Sequence, residues 1–527
     1  MIRHESSSLV LAKQAFERPF TMMSHIISNV FPAAWLPAQV RRSPEHVQAL
    51  RKLNDIRSMT KLLPPEILSL VFQHACPPYK VGLTNPIVWS LDTPREAEWE
   101  EPEPLYRFLF ILAGVSHYWR QVVFSTPELW KAVSMKISGT NVDLCAEVLA
   151  TFLKNVGEFP FSVDLDFTSS LPPPERDNQP GFKAIHNLIF VSYPQKISFI
   201  RLASPAVKWL EHFGEEFTNL EEIHLKWSQD RFTKFPGHIS FIRLPRLCRL
   251  KVYNFSSHEF DLQLPASRMT HLDFYLTGFH VPLKLLLQCH NLVCFRNRSL
   301  RYTASPVYDY EYLFQTPYVL PHLTEFDWEL THSDNHNSSL FNFLHLPSLR
   351  KLFLNHLALV EPAIVTSALK FFSRFQDTLV SLTLHHAWAG HRHGGSHPNS
   401  QALVDCLGAL PHIREFAVKS ACPCFNGLVM EVLSSTDRVP GAATFLLPEL
   451  KVLRLRVRGM CELDTGLVLT MLQSRRELDI FVLKLDFERE FPFQLRTREG
   501  LKQLASEGLR LNISIRGQNV DWLVNAA

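Results

Sequence analysis

The chain has 527 residues, of which 46% are hydrophobic and 20% charged, so it is long enough for several domain-sized units or one extended repeat array and is not a disordered chain. Its 54 basic and 51 acidic residues leave a formal net charge of +3, which excludes a global field that would steer it to nucleic acid or to an anionic membrane. Nine cysteines without the dense spacing of a disulfide scaffold, no signal-like apolar start and no apolar run near the roughly 20 residues that span a bilayer predict a cytoplasmic and/or nuclear protein.

The first predicted elements lie before residue 76. Residues 1–59 are expected to be a poorly ordered segment with one possible short helix from Pro44 to Met59, because prolines interrupt the rest. A helix is predicted over Leu62 to Ala75, where two prolines and Glu66 suit its beginning. Its apolar residues spread over an arc of roughly 200 degrees. This width leaves open whether the helix is buried inside its own domain or also binds a second partner.

Two further helical pieces are predicted after an insertion at about 77–104, which is rich in Pro and Glu and therefore typical of a loop. Helical periodicity from Leu105 to Phe124 predicts a second helix with one broad apolar face. The residues on that face are Phe108, Ile111, Leu112, Val115, Trp119, Val122 and Val123. The run from Ser125 to Glu128 can cap and begin a third, short turn that ends near Trp130.

Two segments of this region carry a family resemblance. LPPEILSLVF (Leu63 to Phe72) and LAGVSHYWRQVVFSTPELWKAV (Leu112 to Val133) together resemble the F-box, in the F-box-like form abundant in mushroom-forming fungi. The shared features are a Leu-Pro-x-Glu helix start, a Val-x-x-x-Trp-Arg in the next helix and a Thr-Pro-x-Leu-Trp close. The resemblance covers residues 60–135. It departs from the family at Ser116, where Cys is common, and in the length of the insertion.

The resemblance implies a function and a set of binding residues. In that family the motif is a small helical bundle that binds the Skp-type adaptor of a Skp-cullin-F-box ubiquitin ligase, so the implied partners are this adaptor and, through it, a cullin. By matching position, the adaptor-binding residues would be Leu63, Pro64, Glu66, Ile67, Leu68, Val115 and Trp119. The residues packed inside the motif would be Phe72, Leu112, Val122 and Trp130.

The rest of the chain contains an internal repeat. A Leu-x-x-Leu-x-Leu pattern, with other apolar residues allowed, occurs eleven times at intervals of 22 to 37 residues, which is typical of irregular leucine-rich repeats. The units begin at Ile197, Leu220, Leu247, Met269, Leu292, Leu323, Leu349, Leu379, Ile413, Leu450 and Ile480. The predicted fold is therefore α/β: a helical F-box motif, linking strand-helix units over 136–195, and a leucine-rich-repeat solenoid with a parallel sheet over 196–527.

A target-binding surface is predicted on the concave side of this sheet, where residues between and after the apolar positions would be exposed. The candidate residues are Lys226, Tyr253, Tyr275, Arg298, Glu329, Arg454, Arg456 and Arg458. The last three alternate with apolar residues on one strand and could grip phosphate or carboxylate groups of an unknown target protein. An ordinary solvated strand face is the other explanation for this alternation.

Other motifs predict no chemistry. The histidines at 385, 386, 391, 393 and 397 fit a polar loop, and Cys422-Pro423-Cys424 is too close for a Cys-x-x-Cys redox pair. Asp164 and Asp166 alternate with apolar residues and are expected on the solvent side of a strand. No phosphate-binding glycine loop, nucleophile elbow or His-Glu-x-x-His occurs. No catalytic residue, cofactor, metal, nucleic acid or membrane partner is therefore predicted.

Two functions remain. The first is a non-catalytic substrate receptor, in which the F-box binds the adaptor and the solenoid binds a target protein. The alternative is a leucine-rich-repeat interaction scaffold whose F-box-like segment serves only as a solenoid cap, because a terminal repeat exposes an apolar end.

Overall fold

A computed structural model describes residues 59–76, 105–167, 179–227, 238–254, 261–275, 277, 280–298, 317–330, 334–355, 357, 362–385, 400–421, 423–434, 446–458, 464–486, 493–516 and 518–520. The chain divides into an N-terminal body, Met1–Ser228 with Arg243–Arg246, and a C-terminal body, Gln229–Ile242 with Leu247–Ala527. The predicted N-terminal segment, apart from Met59, and the insertion at about 77–104 lie outside the described residues.

The N-terminal body starts with short helices. They are a 3-10 turn (Met59–Leu62), α1 (Pro65–Ala75), α2 (Leu105–Val115), α3 (His117–Ser125) and a 3-10 turn (Pro127–Trp130). The predicted helix near 62–75 and the short turn that ends at Trp130 are confirmed. The single helix predicted from Leu105 to Phe124 is wrong, because Ser116 is extended and its hydroxyl accepts the Trp119 N–H at 3.1 Å. This N-cap satisfies a free amide and begins a new helix.

Four parallel strands follow in the N-terminal body. They are β1 (Ala132–Lys136), β2 (Phe161–Asp166), β3 (Ile197–Ala203) and β4 (Glu222–Lys226), and they pair in chain order. The crossovers contain α4 (Val142–Asn155), α5 (Pro180–Asn187) and shorter turns. The predicted linking units over 136–195 therefore belong to the same sheet as β3. The first strand of this sheet begins at Ala132, whereas the sequence predicts that the sheet of the solenoid begins near residue 196.

The C-terminal body contains the remaining strands, and its main sheet has the order β6-β8-β9-β11-β13-β14-β15-β16-β17-β18-β19. The strands are β5 (His238–Ser240), β6 (Arg249–Tyr253), β7 (Asp261–Gln263), β8 (His271–Tyr275), β9 (Cys294–Arg298), β10 (Tyr318–Val319), β11 (Glu325–Glu329), β12 (Leu344–His345), β13 (Lys351–Asn355), β14 (Ser381–His385), β15 (Glu415–Ala421), β16 (Val452–Arg458), β17 (Ile480–Asp486), β18 (Arg510–Ile515) and β19 (Gln518–Asn519). Among the described pairings of this body, only β18 with β19 is antiparallel. The short pairs β5-β7 and β10-β12 are also parallel.

Helices connect most neighbouring strands of the C-terminal body, since parallel strands require crossovers. They are α6 (His280–Gln288), α7 (Asp334–Phe343), α8 (Pro362–Ser373), α9 (Ser400–Gly408), α10 (Pro423–Ser434), α11 (Thr465–Ser474) and α12 (Leu495–Ser506). From α7 to α12 each helix packs against the next one. The protein is thus mixed α/β, with strands that are almost all parallel, as the sequence predicts.

Each of the eleven sequence units supplies one strand. Units one and two form β3 and β4, and the other nine form β6, β8, β9, β11 and β13 to β17. Their inner apolar positions are buried, and the predicted parallel sheet is confirmed. The last unit, however, begins at Leu478 and not at Ile480, because Phe481 is in register with Leu453 and Leu478 is buried.

Candidate interaction surfaces

Helix α1 exposes an apolar stripe. Leu68 and Phe72 are each 1% exposed and face the body, whereas apolar residues on the other side face solvent. We call these outer residues the apolar stripe: Leu63, Ile67, Leu70 and Val71. The spacing of Ile67, Leu70 and Val71 places them on one side of the helix, Leu63 lies just before it, and Leu70 is half exposed. The wide apolar arc of this helix therefore serves two faces, one packed and one without a described partner.

Helix α2 also exposes apolar residues. Ile111 and Val115 are exposed and one turn apart. The Tyr118 hydroxyl donates to the Leu63 carbonyl at 2.7 Å, so the residues just after α2 lie against those just before α1. Exposed apolar residues that cluster on a surface are typical of protein-binding sites, whereas isolated ones are common anywhere.

The predicted adaptor-binding residues fall into three groups. Five of them are exposed, namely Leu63, Pro64, Glu66, Ile67 and Val115. Trp119 is half-buried, its ring centroid lies 4.9 Å from that of Phe72, and its Nε1 donates to Thr60 Oγ1 at 2.8 Å. The sequence prediction is wrong for Leu68, because this residue lies on the buried side of α1 and its side chain is not accessible to a partner.

The inner residues of the helical segment contact the start of the sheet. Phe72, Leu112, Val122 and Trp130 are buried, as predicted. Trp130 packs edge-on against Phe152 of α4 with ring centroids 4.9 Å apart, and its Nε1 donates to the Val123 carbonyl at 2.9 Å. Helix α2 also contacts β1. The inner side of these helices therefore covers the first strand of the N-terminal sheet.

Asp164 on β2 is not on a solvent face, contrary to the prediction. It is 4% exposed, its Oδ1 accepts from Arg201 Nε at 2.6 Å, and its Oδ2 accepts from Ser134 Oγ at 2.9 Å. Ser134 and Arg201 are its register partners on the two flanking strands. Burial raises the pKa of Asp164, and the Arg201 guanidinium opposes that rise. The predicted structural role stands, as part of a buried polar row.

The C-terminal body has a charged face on the side of its strands opposite the apolar core. The residues that define this charged face are Asp273, Arg296, Arg298, Glu325, Asp327, Glu329, Asn355, His385, Glu415, Lys419, Arg454, Arg456, Lys484 and Asp486. Arg296 Nη2 lies 2.7 Å from Glu325 Oε1 and its Nη1 lies 3.7 Å from Asp273 Oδ2. Most charges on this face are therefore paired between strands.

The centre of the charged face is a chain of polar contacts. Arg298 Nε donates to Asp327 Oδ2 at 2.6 Å, and Asn355 Nδ2 donates to Asp327 Oδ1 at 3.5 Å. His385 Nδ1 lies 2.7 Å from Asn355 Oδ1. Burial raises the pKa of Asp327, and Arg298 acts against that rise. These contacts cross four strands of the sheet, from β9 to β14.

The predicted target-binding residues are less accessible than the alternating pattern suggests. Tyr253 and Glu329 are buried, and Tyr253 packs against Tyr275 with ring centroids 5.7 Å apart. Arg298 and Lys226 are half-buried, and Lys226 belongs to the N-terminal body. The prediction of a fully exposed strip is therefore wrong for Tyr253 and Glu329.

The three arginines of β16 do not form a free ladder. Arg454 Nη1 lies 3.3 Å from Glu415 Oε2 on β15, and Arg456 Nε donates to Asp486 Oδ2 on β17 at 2.7 Å. The Arg458 side chain lies outside the described residues. Sequence reasoning missed Glu415 and Asp486 as partners, although both lie in the strands on either side.

Lys419 is the unusual cation of the charged face. It is 3% exposed, and the described residues offer its Nζ neither a hydrogen bond nor an ion pair. Its Nζ lies 5.8 Å from the centroid of the Phe353 ring. Burial lowers the pKa of Lys419 well below its ordinary value, the nearby guanidinium groups of Arg298, Arg454 and Arg456 act in the same direction, and the carboxylate of Asp327 acts against them.

Other predicted motifs give no site. Of the histidine cluster only His385 is described, and the side chains of Cys422 and Cys424 lie outside the described residues. In the described part of the chain, no group of three or more His, Cys, Asp or Glu side chains could hold a metal ion. The described cysteines form no disulfide. None of the described helices has the length and apolar character needed to cross a bilayer.

Comparison of the whole chain with protein-family models gives no match, and comparison with curated proteins gives no significant relative.

Proposed function

We propose that the chain is a non-catalytic substrate receptor of a Skp-cullin-F-box ubiquitin ligase. In this proposal residues 60–135 form an F-box-like motif that binds a Skp-type adaptor. The C-terminal body is an irregular leucine-rich-repeat solenoid that holds a target protein, and other subunits transfer ubiquitin to it.

The observation that carries the proposal is the apolar stripe of α1. It lies within the segment that resembles the F-box, and four further residues of the same motif, Pro64, Glu66, Ile111 and Val115, are also exposed. A helix that packs one apolar side and leaves a second one in water gains free energy when a partner covers that second side. Interface energy concentrates in such apolar anchors.

The repeat architecture supports the second part of the proposal, the binding of a target protein. Eleven sequence units each contribute one strand, and helices cross between most strands of the C-terminal body. Stacked strand-helix units are the arrangement that leucine-rich repeats use to build extended binding surfaces. The charged face supplies polar groups on one side of these strands.

The alternative, a cap without adaptor binding, also has a supporting observation. Helix α2 and Trp130 cover β1 at the start of the N-terminal sheet. This explains the inner side of the helical segment. It does not explain the apolar stripe, which faces away from the packed residues. Both roles are compatible if the inner side caps and the outer side binds.

Co-purification with a Skp-type adaptor tests the proposal. Ile67→Asp places a charge in the apolar stripe and should abolish capture while the chain keeps its unfolding transition. Val191→Asp is the matched control, because Val191 is an exposed apolar residue of the same body outside the motif. Trp119→Ala should also reduce capture.

Three outcomes separate the two functions. Capture by the wild type that is lost in Ile67→Asp and kept in Val191→Asp supports the receptor. No capture by the wild type excludes it. Capture unaffected by Ile67→Asp would exclude the apolar stripe as the adaptor-binding surface, and no capture together with destabilisation in Trp119→Ala would leave only the cap.

A further inference from the structure

Lys419 is surrounded by cations whose carboxylate partners are already engaged. Its β-strand neighbours in register are His385 on β14 and Arg456 on β16. Arg454 turns toward Glu415, four residues before Lys419, whereas Arg456 turns toward Asp486 on β17. Arg454 thus pairs with a carboxylate on β15, and Arg456 pairs with one on β17. Neither carboxylate reaches the lysine.

The arginines around Lys419 are paired, whereas Lys419 is not. Four cations lie in this part of the charged face, namely Arg298, Arg454, Arg456 and Lys419. Three carboxylates pair with the arginines, namely Asp327, Glu415 and Asp486. Lys419 is therefore the only one of these four cations that lacks a described carboxylate partner. Buried charges are normally paired, so this cluster is incomplete without an anion.

We propose that the charged face binds an acidic peptide segment of the target and that Lys419 pairs with one carboxylate of that segment. This inference rests on the proposed function, because it names the class of target that the receptor holds.

The neighbouring side chains fit such a ligand. Thr383 and Ala417, in register with each other, are short and lie between Phe353 and Arg454 in the adjacent row of the sheet. Arg454 has a third of its side chain exposed and only a long contact to Glu415, so it meets an incoming anion first. The lowered pKa of Lys419 agrees with this, since a bound carboxylate would offset the burial and the repulsion that lower it.

A single carboxylate fits better than a phosphoryl group. One unpaired positive charge is balanced by one negative charge, whereas a phosphoryl group near pH 7 carries ≈ −1.5 to −2. The excess negative charge of a phosphoryl group would then lie beside the carboxylates of Asp327 and Glu415.

Fluorescence anisotropy of a fluorescein-labelled oligoglutamate with the full-length chain tests the proposal. Low ionic strength is used, because salt screens such contacts. Lys419→Met keeps the side-chain length, removes the charge and should weaken binding by about tenfold or more. Lys370→Met is the matched control, because Lys370 is an exposed lysine on helix α8 of the same body. It should change binding by less than about twofold.

Two further measurements decide the ligand class. Glutarate should compete with oligoglutamate better than inorganic phosphate does at equal ionic strength. Acetic anhydride should label Lys419 several-fold more slowly in the presence of oligoglutamate, with Lys370 unchanged, as read by peptide mass spectrometry. This labelling uses the wild type, so it does not depend on the folding of a variant.

The outcomes are distinct. No saturable oligoglutamate binding, equal weakening in Lys419→Met and Lys370→Met, or no protection of Lys419 would overturn the proposal. Stronger competition by phosphate would overturn the assignment to a carboxylate. Adaptor capture is measured on the same preparations and should be unchanged in Lys419→Met. A chain that binds oligoglutamate but not the adaptor would reject the proposed ligase function and not this site.

Discussion

Trp119 packs against Phe72 with ring centroids 4.9 Å apart and an interplanar angle of 58°. This contact joins α3 to α1, and the hydrogen bond from Trp119 Nε1 to Thr60 Oγ1 at 2.8 Å ties the same ring to the turn before α1. Trp119 therefore holds the helix that carries the apolar stripe.

Trp119→Phe should separate the hydrogen bond from the ring contact. Phenylalanine keeps an aromatic ring against Phe72 but has no donor, so the free energy of unfolding should fall by about 0.5 to 1.5 kcal/mol. Trp119→Ala loses both contacts and should cost about 1 to 3 kcal/mol, less than a fully buried Trp because the ring is half-buried. Urea unfolding measures both variants.

Thr60→Val is the control for that hydrogen bond. It removes the acceptor with little change of shape. If the bond exists, the double variant Trp119→Phe with Thr60→Val should be less destabilised than the sum of the two single variants. Additive effects would contradict the bond.

The same substitution at Leu68 and at Leu70 should change the free energy of unfolding by very different amounts. Leu68 lies on the buried side of α1, so Leu68→Ala should lower the free energy of unfolding by about 2 to 5 kcal/mol. Leu70 is half exposed, so Leu70→Ala should change it by only about 0.5 kcal/mol. Under the proposed function, Leu70→Ala should weaken adaptor binding. Equal destabilisation by the two variants would contradict the orientation of α1.

Ser116 should act as an N-cap. Ser116→Ala removes the acceptor of the Trp119 N–H and should destabilise the N-terminal body by about 1 kcal/mol. Ser116→Cys should behave similarly, since a thiol is a weak acceptor. Ser125→Ala is the control, because the Ser125 hydroxyl at the other end of α3 contacts only a carbonyl of its own helix. Thermal unfolding that does not distinguish Ser116→Ala from Ser125→Ala would refute the cap.

The sequence predicts the strands better than the surfaces, and the reason is physical. The repeat places Leu453 and Leu455 on the core side of β16, because burial enforces a period of two. The other side of the same strand is decided by partners about 30 to 40 residues away, such as Asp486 for Arg456 and Glu415 for Arg454. These pairs are offset from direct register, so the alternating pattern alone does not reveal them.

The break between two helices and the choice of a helix's packed face are similarly hard to predict. The periodic apolar residues from Leu105 to Phe124 fit one helix, and only the capping ability of Ser116 indicated the break. On α1 the apolar arc shows two faces but not which one packs, because that choice depends on the position of Trp119 and Trp130 in the fold. Matching position in the F-box-like motif therefore places Leu68 on the partner side, whereas the structure buries it.

Arg374 should stabilise the end of helix α7. Its Nη1 donates to the carbonyls of Phe341 at 3.0 Å and Leu344 at 2.8 Å, and its Nη2 donates to that of Asn342 at 3.0 Å. These carbonyls lie at or just beyond the helix end, where they have few backbone partners. Arg374→Met should therefore cost about 2 kcal/mol or more.

The control for Arg374 is Arg350→Met, an exposed arginine of the same body, which should change stability little. Arg374→Lys should restore only part of the loss, because an ammonium group cannot reproduce the planar fork of donors. Hydrogen exchange should become faster near the end of α7 in Arg374→Met alone. Unchanged hydrogen exchange there would contradict a stabilising role of the Arg374 hydrogen bonds.

Lys419→Met should stabilise the free protein, and the gain should depend on pH. Burial, with three guanidinium groups nearby, lowers the pKa of Lys419 in the folded chain well below 10.5, while the unfolded chain keeps the ordinary value. Between the two pKa values the unfolded chain binds more protons, so the free energy of unfolding of the wild type rises with pH in that window. Below the folded pKa the cost of burying the charge is present in full.

Lys419→Met removes that cost, so its free energy of unfolding should exceed that of the wild type at neutral pH. The gain should be about 1 to 4 kcal/mol, the range that replacing buried ionised groups by apolar side chains of similar size can give. The difference should shrink as pH rises toward 10.5. Urea unfolding from neutral to alkaline pH measures it, with Lys370→Met as a control that should show no such trend. A difference between Lys419→Met and the wild type that is constant with pH, or a destabilised Lys419→Met, would mean that Lys419 is paired in the folded protein.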